Sequence, residues 1–377
     1  MRTDESLRSE ANIRELARNS IADCGVDPSS ADSFTALSFP YMANFRSAVS
    51  LALLVSGAAL AANWDPSNIT GTSGLVLIDK LGSLVRFFGP ATNKEIATLD
   101  LGGMPHELAI APDHRTAYVP LYGDGVYGRN PNPGHEIAVI DLIARKMTGK
   151  IDVSPSVAPH GLQVDANGLL YVTCDISRTF LIIDPKTKNI TSIDNEGTGH
   201  WIAVLPNGSK AYVANKQDRL FVTVIDLKSK KLVGRVPMPT GTQGITASPD
   251  GKYVVAADLS GPGLRIIDTA TDTVVDTVAV EQNRRGPFRV KYSPDGKLLT
   301  TLDGAGLLNI FDASDLHGQQ QVLTVGKDPY GIAFTADGKS ALVSNHGDGT
   351  ISIIDLKDRK VTGSYTAGKG VETLAYY

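Results

Sequence analysis

The chain lacks the features that would assign it to several common classes of protein. Of its 377 residues only two are cysteines, Cys24 and Cys174, which excludes a scaffold held together by several disulfide bonds. No sign of charge dominates, since 36 lysine and arginine residues face 40 acidic ones, and this balance does not favour nucleic acid as a partner. Hydrophobic residues make up 42%, which is too many for a disordered chain.

Long apolar runs are also scarce. The longest covers residues 48–61, and its 14 residues are too few to span a bilayer, which takes about 20. It follows Met42 and the single positive charge of Arg46, and it ends in Ala-Leu-Ala, which is typical of signal-peptide cleavage. We therefore expect a signal peptide at 42–61 and a periplasmic or secreted protein without a membrane partner. A buried core helix is the alternative interpretation. Residues 1–41 are then expected to be a non-native or disordered extension.

The sequence contains instead an internal repeat. One phrase occurs six times, for example as GTQGITASPDGKYVV from Gly241 and as DPYGIAFTADGKSALV from Asp328. Each copy is followed by an alternating apolar run that ends in aspartate, such as TVID at Asp226. Alternation with a period of two and tight Asp-Gly turns predict four short strands in each unit. Repeated units of four strands are typical of the blades of a β-propeller.

The two ends of the repeat region complete one more unit. Six full units run from 104 to 369, residues 370–377 form a first strand without partners, and residues 74–102 supply a second, third and fourth strand. Joining the ends in one blade removes the exposed strand edges. The sequence therefore predicts an all-β protein with one domain over residues 62–377. This domain is a seven-bladed β-propeller with four antiparallel strands per blade, closed one-plus-three by the two ends.

The repeated phrase and the Ile-Asp that ends each third strand resemble the YVTN-repeat β-propeller family. The resemblance covers essentially all of 74–377, although Phe87-Phe88-Gly89 replaces Ile-Asp in the first of these runs. It implies a secreted or periplasmic seven-bladed propeller, with lactonase-like relatives. It implies little about chemistry, because similar propellers serve as lactonases, lyases, electron-transfer subunits and binding modules.

The first strand of each blade lines the central channel, so the residue at its start can be compared from blade to blade. His346 follows the second strand of blade six, and the end of a second strand lies on the same face of the propeller as the start of a first strand. Imidazole and carboxylate groups that converge at a channel mouth suit a divalent transition metal such as zinc, iron, manganese or copper. We therefore predict His106, His160 and His200 as metal ligands. In blades one to seven the channel position holds His106, His160, His200, Gln243, Phe288, Tyr330 and Glu372.

Other residues of this face are predicted to take part in catalysis or in substrate binding. Glu372, Tyr330 and His346 are predicted to be catalytic, with Glu372 or a histidine moving a proton. Blade one carries an insertion at 121–136 between its second and third strands, and we expect this segment to act as a lid or specificity loop. His135 on this insertion is a further candidate ligand. The residues predicted to bind substrate are Tyr122, Tyr127, Arg129, Gln243 and Arg289.

These residues leave two classes of function open. The favoured one is a metal-dependent enzyme, a lactonase-like hydrolase or a lyase, that acts on a small ester, lactone or related carbonyl compound. A metal-free site in which a histidine and Glu372 act as acid and base is a variant of it. The other class is a non-catalytic propeller that binds a protein, a glycan or a cell-wall fragment. An electron-transfer accessory subunit would need a redox partner, because the chain has no C-x-x-C-H haem motif.

Overall fold

A computed structural model describes the repeat region of the chain. The described residues are 74–127, 129–216, 219–259, 261, 263–282 and 286–377. The expected signal peptide and N-terminal extension lie outside them. Within these ranges the chain forms 28 β-strands and no helix, so they contain no helix that could cross a membrane.

The strands form seven antiparallel sheets of four. The chain starts with β1 (Leu75–Asp79), β2 (Leu84–Phe88) and β3 (Glu95–Asp100). Blade one has β4 (Ala109–Ile110), β5 (Thr116–Val126), β6 (Arg129–Asp141) and β7 (Lys146–Asp152). Blade two has β8 (Pro159–Val164), β9 (Leu170–Cys174), β10 (Thr179–Asp184) and β11 (Asn189–Asp194). Blade three has β12 (Gly199–Val204), β13 (Lys210–Asn215), β14 (Phe221–Asp226) and β15 (Lys231–Pro237).

The remaining blades follow the same order from the channel outward. Blade four has β16 (Thr242–Ala247), β17 (Tyr253–Asp258), β18 (Gly263–Asp268) and β19 (Thr273–Ala279). Blade five has β20 (Pro287–Tyr292), β21 (Leu298–Asp303), β22 (Leu307–Asp312) and β23 (Gln321–Thr324). Blade six has β24 (Pro329–Phe334), β25 (Ser340–Asn345), β26 (Thr350–Asp355) and β27 (Lys360–Thr366), and the final strand is β28 (Val371–Tyr376).

Blade seven is assembled from both ends of the repeat region. Its sheet has the order β28–β1–β2–β3, and Leu75 of β1 lies opposite Tyr376 of β28. Next to this pair, Gly74 and Tyr377 exchange two backbone hydrogen bonds of 3.2 and 3.0 Å. The prediction of an all-β, seven-bladed propeller with four antiparallel strands per blade and one-plus-three closure is confirmed.

The core lies between the blades. Because side chains of a strand alternate between the two faces of its sheet, the apolar residues of the inner strands pack against both neighbouring blades. Phe87 of blade seven, for example, packs with Val119 and Ile140 of blade one. The outermost strands, such as β19 and β27, are mostly exposed. The Asp-Gly turns that join the first two strands have the expected positive φ, which is 71° at both Gly251 and Gly296.

The insertion of blade one is a strand extension and not a loop. Strands β5 and β6 continue beyond the blade as a hairpin, with Gly123 opposite Pro133 and Val126 opposite Arg129. Two register shifts bend this ribbon. Tyr127 lies at its tip, in the turn between the two strands.

Candidate functional site at the histidine face

The predicted channel residues meet in one cavity of about 210 Å³. Six of the seven line it, and Phe288 is the exception. Five of them are the second residue of an inner strand, and His106 precedes β4 by three residues, next to the isolated bridge of Pro105 with Leu121, so the repeat brings equivalent positions into one ring. The full lining is Lys80, His106, Glu107, Tyr127, His160, His200, Trp201, Lys216, Gln243, Arg289, Tyr330, Glu372 and Thr373.

The three histidines form an arc of adjacent rings. The ring centroids of His106 and His160 are 4.1 Å apart, and those of His160 and His200 are 4.2 Å apart. All three side chains are buried. Burial lowers the pKa of His160, helped by His106, and burial with the nearby charge of Lys216 lowers the pKa of His200. Both pKa values fall well below the ordinary range, so these two imidazoles are neutral at pH 7.

Several nitrogens of this arc have no hydrogen-bond partner. Among the described residues, neither ring nitrogen of His160 has a hydrogen-bond partner, and Nδ1 of His200 has none either. Leaving such a buried polar atom without a partner costs about 1–3 kcal/mol. The arc therefore presents lone pairs and N–H groups that a bound ligand would satisfy.

His106 is held by two charged groups. Its Nδ1 lies 2.8 Å from Oε2 of Glu372, and its Nε2 lies 3.2 Å from Nζ of Lys80. An ammonium can only donate, so Nε2 accepts from Lys80 and the ring proton stands on Nδ1, which donates to Glu372. Lys80 is also 3.5 Å from Oε1 of Glu372. The ammonium of Lys80 thus faces the Glu372 carboxylate both directly and through the His106 ring.

Glu372 remains ionised at the centre of this network. Burial alone would raise the pKa of Glu372, but His106, Lys80 and His346 together lower it to about 2. Nδ1 of His346 lies 3.5 Å from Oε1 of Glu372, and the His346 ring packs edge-on against Tyr330 at 5.2 Å. His346 therefore contacts the site from outside the cavity wall.

The tip of the blade-one hairpin reaches across to blade three. In five blades a backbone N–H donates to the carbonyl oxygen of the residue two positions before the channel residue. The donor stands where the second strand leaves the four-stranded sheet of its blade. The five donors are the N–H groups of Lys80, Tyr122, Asp175, Leu259 and His346. In blade three the equivalent groups are the N–H of Lys216 and the carbonyl of Thr198, and the hydroxyl of Tyr127 stands between them. It accepts from the N–H of Lys216 at 3.4 Å and donates to the carbonyl of Thr198.

The same tyrosine covers the histidine arc. Its ring centroid is 5.8 Å from that of His160 and 5.0 Å from that of His200. The ammonium of Lys216 lies 5.1 Å from the centroid of the Tyr127 ring, within the range of a cation–π contact. The hairpin is thus tied by one hydroxyl to the rim of the site, where it shields two histidines.

A layer of polar side chains, which we call the plug, closes the channel beneath the cavity. Trp201 Nε1 donates to Oε1 of Glu107 at 2.6 Å, and the guanidinium of Arg289 lies 3.8 Å from the Trp201 ring centroid. Arg289 also donates to Oε2 of Glu107 at 3.3 Å and to Thr373 at 3.2 Å. These four residues also line a second cavity of about 90 Å³ further along the channel. The plug therefore separates the two cavities.

Not every residue expected to bind substrate reaches the cavity. Tyr122 is fully buried, donates to Oδ2 of Asp175 at 2.6 Å and packs edge-on against His106 and His160. Arg129 is exposed on the hairpin. The guanidinium of Arg289 does line the cavity, but Glu107 and Thr373 engage it.

His135 lies away from the histidine arc. It is half exposed, outside the cavity lining, and pairs with Asp152 at 3.0 Å. It therefore does not join the three channel histidines as the fourth ligand that the sequence suggested.

The sequence prediction missed five residues of the cavity. Lys80 and Lys216 follow the second strands of their blades, the same place in the repeat that pointed to His346. Glu107, Trp201 and Thr373 directly follow the channel positions of blades one, three and seven. Both signals are present in the repeat, but they show only when the positions beside the channel ring are compared as well.

As the side chains stand, the site does not form a finished metal centre. Within the ranges that the structure describes, no group of three or more His, Cys, Asp or Glu side chains is arranged to hold a metal ion. The chemistry of the donors nevertheless fits, because unpaired neutral imidazole nitrogens suit zinc, copper and iron. Lys80 occupies the approach to Nε2 of His106 and would have to move aside.

Comparison with known proteins confirms the fold. No model of a known protein family matches the chain, and no curated protein matches it. The YVTN-repeat assignment therefore stays a resemblance. Among solved structures, hydrazine synthase from Kuenenia stuttgartiensis is similar with a TM-score of 0.62 and 21% identity over 72% of this chain and 89% of that one. A protein of unknown function from Desulfotomaculum acetoxidans is similar with a TM-score of 0.66 and 13% identity, over 81% of this chain and 99% of that one.

Proposed function

We propose that the protein is a metal-dependent enzyme that acts on a small ester, lactone or related carbonyl compound at the histidine face. The observation that carries this proposal is the arc of three buried imidazoles at the cavity wall, two of which have nitrogens without a hydrogen-bond partner among the described residues. His106, His160 and His200 would hold one divalent transition metal. Such a metal polarises a carbonyl or lowers the pKa of bound water.

The residues around the arc have defined tasks in this proposal. Glu372 accepts the Nδ1 proton of His106 and so keeps Nε2 as the lone pair that faces the cavity, an arrangement common behind metal-bound histidines. Lys80 would have to leave Nε2 of His106 for a metal to be held there, and its ammonium would then be available as a proton donor at the cavity wall. Tyr127 and the hairpin exclude bulk water from one side of the arc.

Export to the periplasm or out of the cell is part of the same proposal. It rests on the signal-like segment 42–61 of the sequence. The small-molecule substrate is inferred from the size of the cavity and its closed end.

The proposal is tested by elemental analysis of protein purified without a histidine tag. We expect about one equivalent of a transition metal per chain, as in other three-histidine sites. The double variant His106→Ala/His160→Ala should lose the metal while keeping its β-sheet circular dichroism. The matched control is His135→Ala/His317→Ala, which removes two exposed histidines that pair with surface aspartates. This control should keep the metal.

Activity is then screened with lactones and esters on the metal-loaded parent. The parent should hydrolyse at least one substrate, and the His106→Ala/His160→Ala variant should not. A folded parent that takes up no metal from zinc, copper, iron or manganese would contradict the metal site. Turnover without any metal would favour acid–base catalysis by Glu372 and a histidine, and binding without turnover would favour a non-catalytic propeller.

A further inference from the structure

The cavity carries an excess positive charge at one defined place. Three cations line it, and two of them are matched by a carboxylate. Lys80 lies 3.5 Å from Glu372, and Arg289 lies 3.3 Å from Glu107. The third cation is Lys216. Lys216 is therefore the lining cation that has no carboxylate beside it among the described residues.

Lys216 has no anionic partner in the described part of the chain. Among the described residues its ammonium stands over the face of the Tyr127 ring, and its backbone N–H donates to the Tyr127 hydroxyl. Burial, together with the charge of Lys80, lowers the pKa of Lys216. A partly buried ammonium without a counter-charge is unfavourable, and the usual remedy in proteins is an anion.

Uncharged polar atoms without partners stand around this lysine. Lys216 is close enough to shift the pKa values of both His160 and His200, whose unpaired nitrogens line the same cavity. On the next blade, Oε1 of Gln243 is buried and unpaired. A ligand that satisfied all these groups would carry one negative charge beside neutral donors and acceptors.

We propose that Lys216 binds the carboxylate of a small organic monoanion, whose uncharged polar groups reach Gln243 and, in the metal-free protein, His160 and His200. The cavity of about 210 Å³ is of a size that admits a small organic acid. The inference names the substrate class of the proposed enzyme. The claim that this monoanion reacts at the site rests on the proposed function. The claim that it binds there does not.

Isothermal titration calorimetry at fixed ionic strength tests the inference. The probes are acetate, butyrate and benzoate, each compared with its neutral amide, and inorganic phosphate. The parent should bind at least one carboxylate at least tenfold more tightly than the corresponding amide, because only the carboxylate forms a charge-assisted hydrogen bond. Lys216→Met should lose at least tenfold in affinity for that carboxylate, and Lys216→Arg should stay within a few-fold of the parent.

The matched control is Lys297→Met, which removes an exposed lysine in a turn of blade five and should leave the affinity unchanged. Equal affinity for acid and amide, binding of none of the three acids by the folded parent, or unchanged affinity in folded Lys216→Met would overturn the proposal. Tighter binding of phosphate than of every acid would overturn the carboxylate assignment. If Lys216→Met does not fold, the acid–amide comparison in the parent still decides.

Metal content is measured on the same samples and after chelation. Loss of carboxylate selectivity with the metal retained would contradict this inference alone. Selectivity that depends on Lys216 in a protein that binds no metal would contradict the proposed function alone. The two proposals can therefore fail separately.

Discussion

The residue after each channel position decides how closely two neighbouring blades approach. Blades two, four and six have glycine there, and the other four blades have the plug residues Glu107, Trp201, Arg289 and Thr373. A Cβ atom added at Gly161 would lie 2.0 Å from the carbonyl oxygen of His200, a distance that real Cβ atoms do not show. The glycines let adjacent inner strands approach, and the larger residues fill the space that remains in the channel.

Gly161→Ala should therefore destabilise the protein. The added methyl group has to push apart the inner strands of blades two and three, and overpacking of this kind costs about 1–3 kcal/mol. The matched control is Gly149→Ala on the outer strand β7, where an added Cβ meets no atom within 4 Å. We expect a lower urea midpoint for Gly161→Ala and an unchanged or slightly higher one for Gly149→Ala. Equal midpoints for the two variants would contradict this account of the ring.

At the scale of residues, the sequence predicted the ring but not the pairing within it. A repeat with fixed phase places His106, His160 and His200 on neighbouring strands, and that placement is found. Which partner each side chain takes depends on contacts between strands that are far apart in the chain. Glu107 and Arg289, for instance, are 182 positions apart, and no local pattern joins them.

The blade-one hairpin is an element that belongs to one blade and completes another. Blade three lacks the backbone hydrogen bond that five other blades make at the same place, and the hydroxyl of Tyr127 bridges the two groups instead. The length of the insertion could be read from the sequence, because unit one is longer than the others. Its reach to blade three could not, because two register shifts in the ribbon set its direction.

Tyr127→Phe should weaken this attachment and leave the ring contacts in place. The N–H of Lys216 loses the hydroxyl as acceptor, and a loss of this kind typically costs about 1–3 kcal/mol. We expect faster hydrogen exchange at the Lys216 amide and a lower denaturation midpoint. Tyr253→Phe is the control, because this hydroxyl lies on the exposed start of β17 and should change stability by less than about 0.5 kcal/mol. Unchanged exchange at Lys216 would show that the hydroxyl does not tie the hairpin down.

The whole molecule depends on the pairing of β28 with β1. Strand β28 and the residue after it bury Val371, Leu374, Tyr376 and Tyr377. Each such side chain contributes about 1.5–3 kcal/mol, so together they are comparable to the total stability of a typical domain, about 5–15 kcal/mol. The sequence predicted this closure because the repeat count leaves one strand at one end and three at the other.

Removal of residues 370–377 should abolish cooperative folding. The truncation exposes the edge of β1 and one side of blade six, and exposed edges promote aggregation. The control is a circular permutant that keeps these residues but joins Tyr377 to Gly74 through a two-residue Asn-Gly turn, since the two residues already exchange backbone hydrogen bonds as a hairpin pair does. Thermal unfolding and size-exclusion chromatography should show a folded permutant and an aggregated truncation. A truncated protein that melts like the parent would refute the closure argument.

The plug also limits how a molecule can enter and leave the cavity. Glu107, Trp201, Arg289 and Thr373 stand between the two cavities and are joined by hydrogen bonds, so we expect a molecule to reach the histidines from the face that carries the hairpin and to leave the same way. A bound molecule would then block the next one until it departs, and in the proposed enzyme the product should inhibit the reaction competitively.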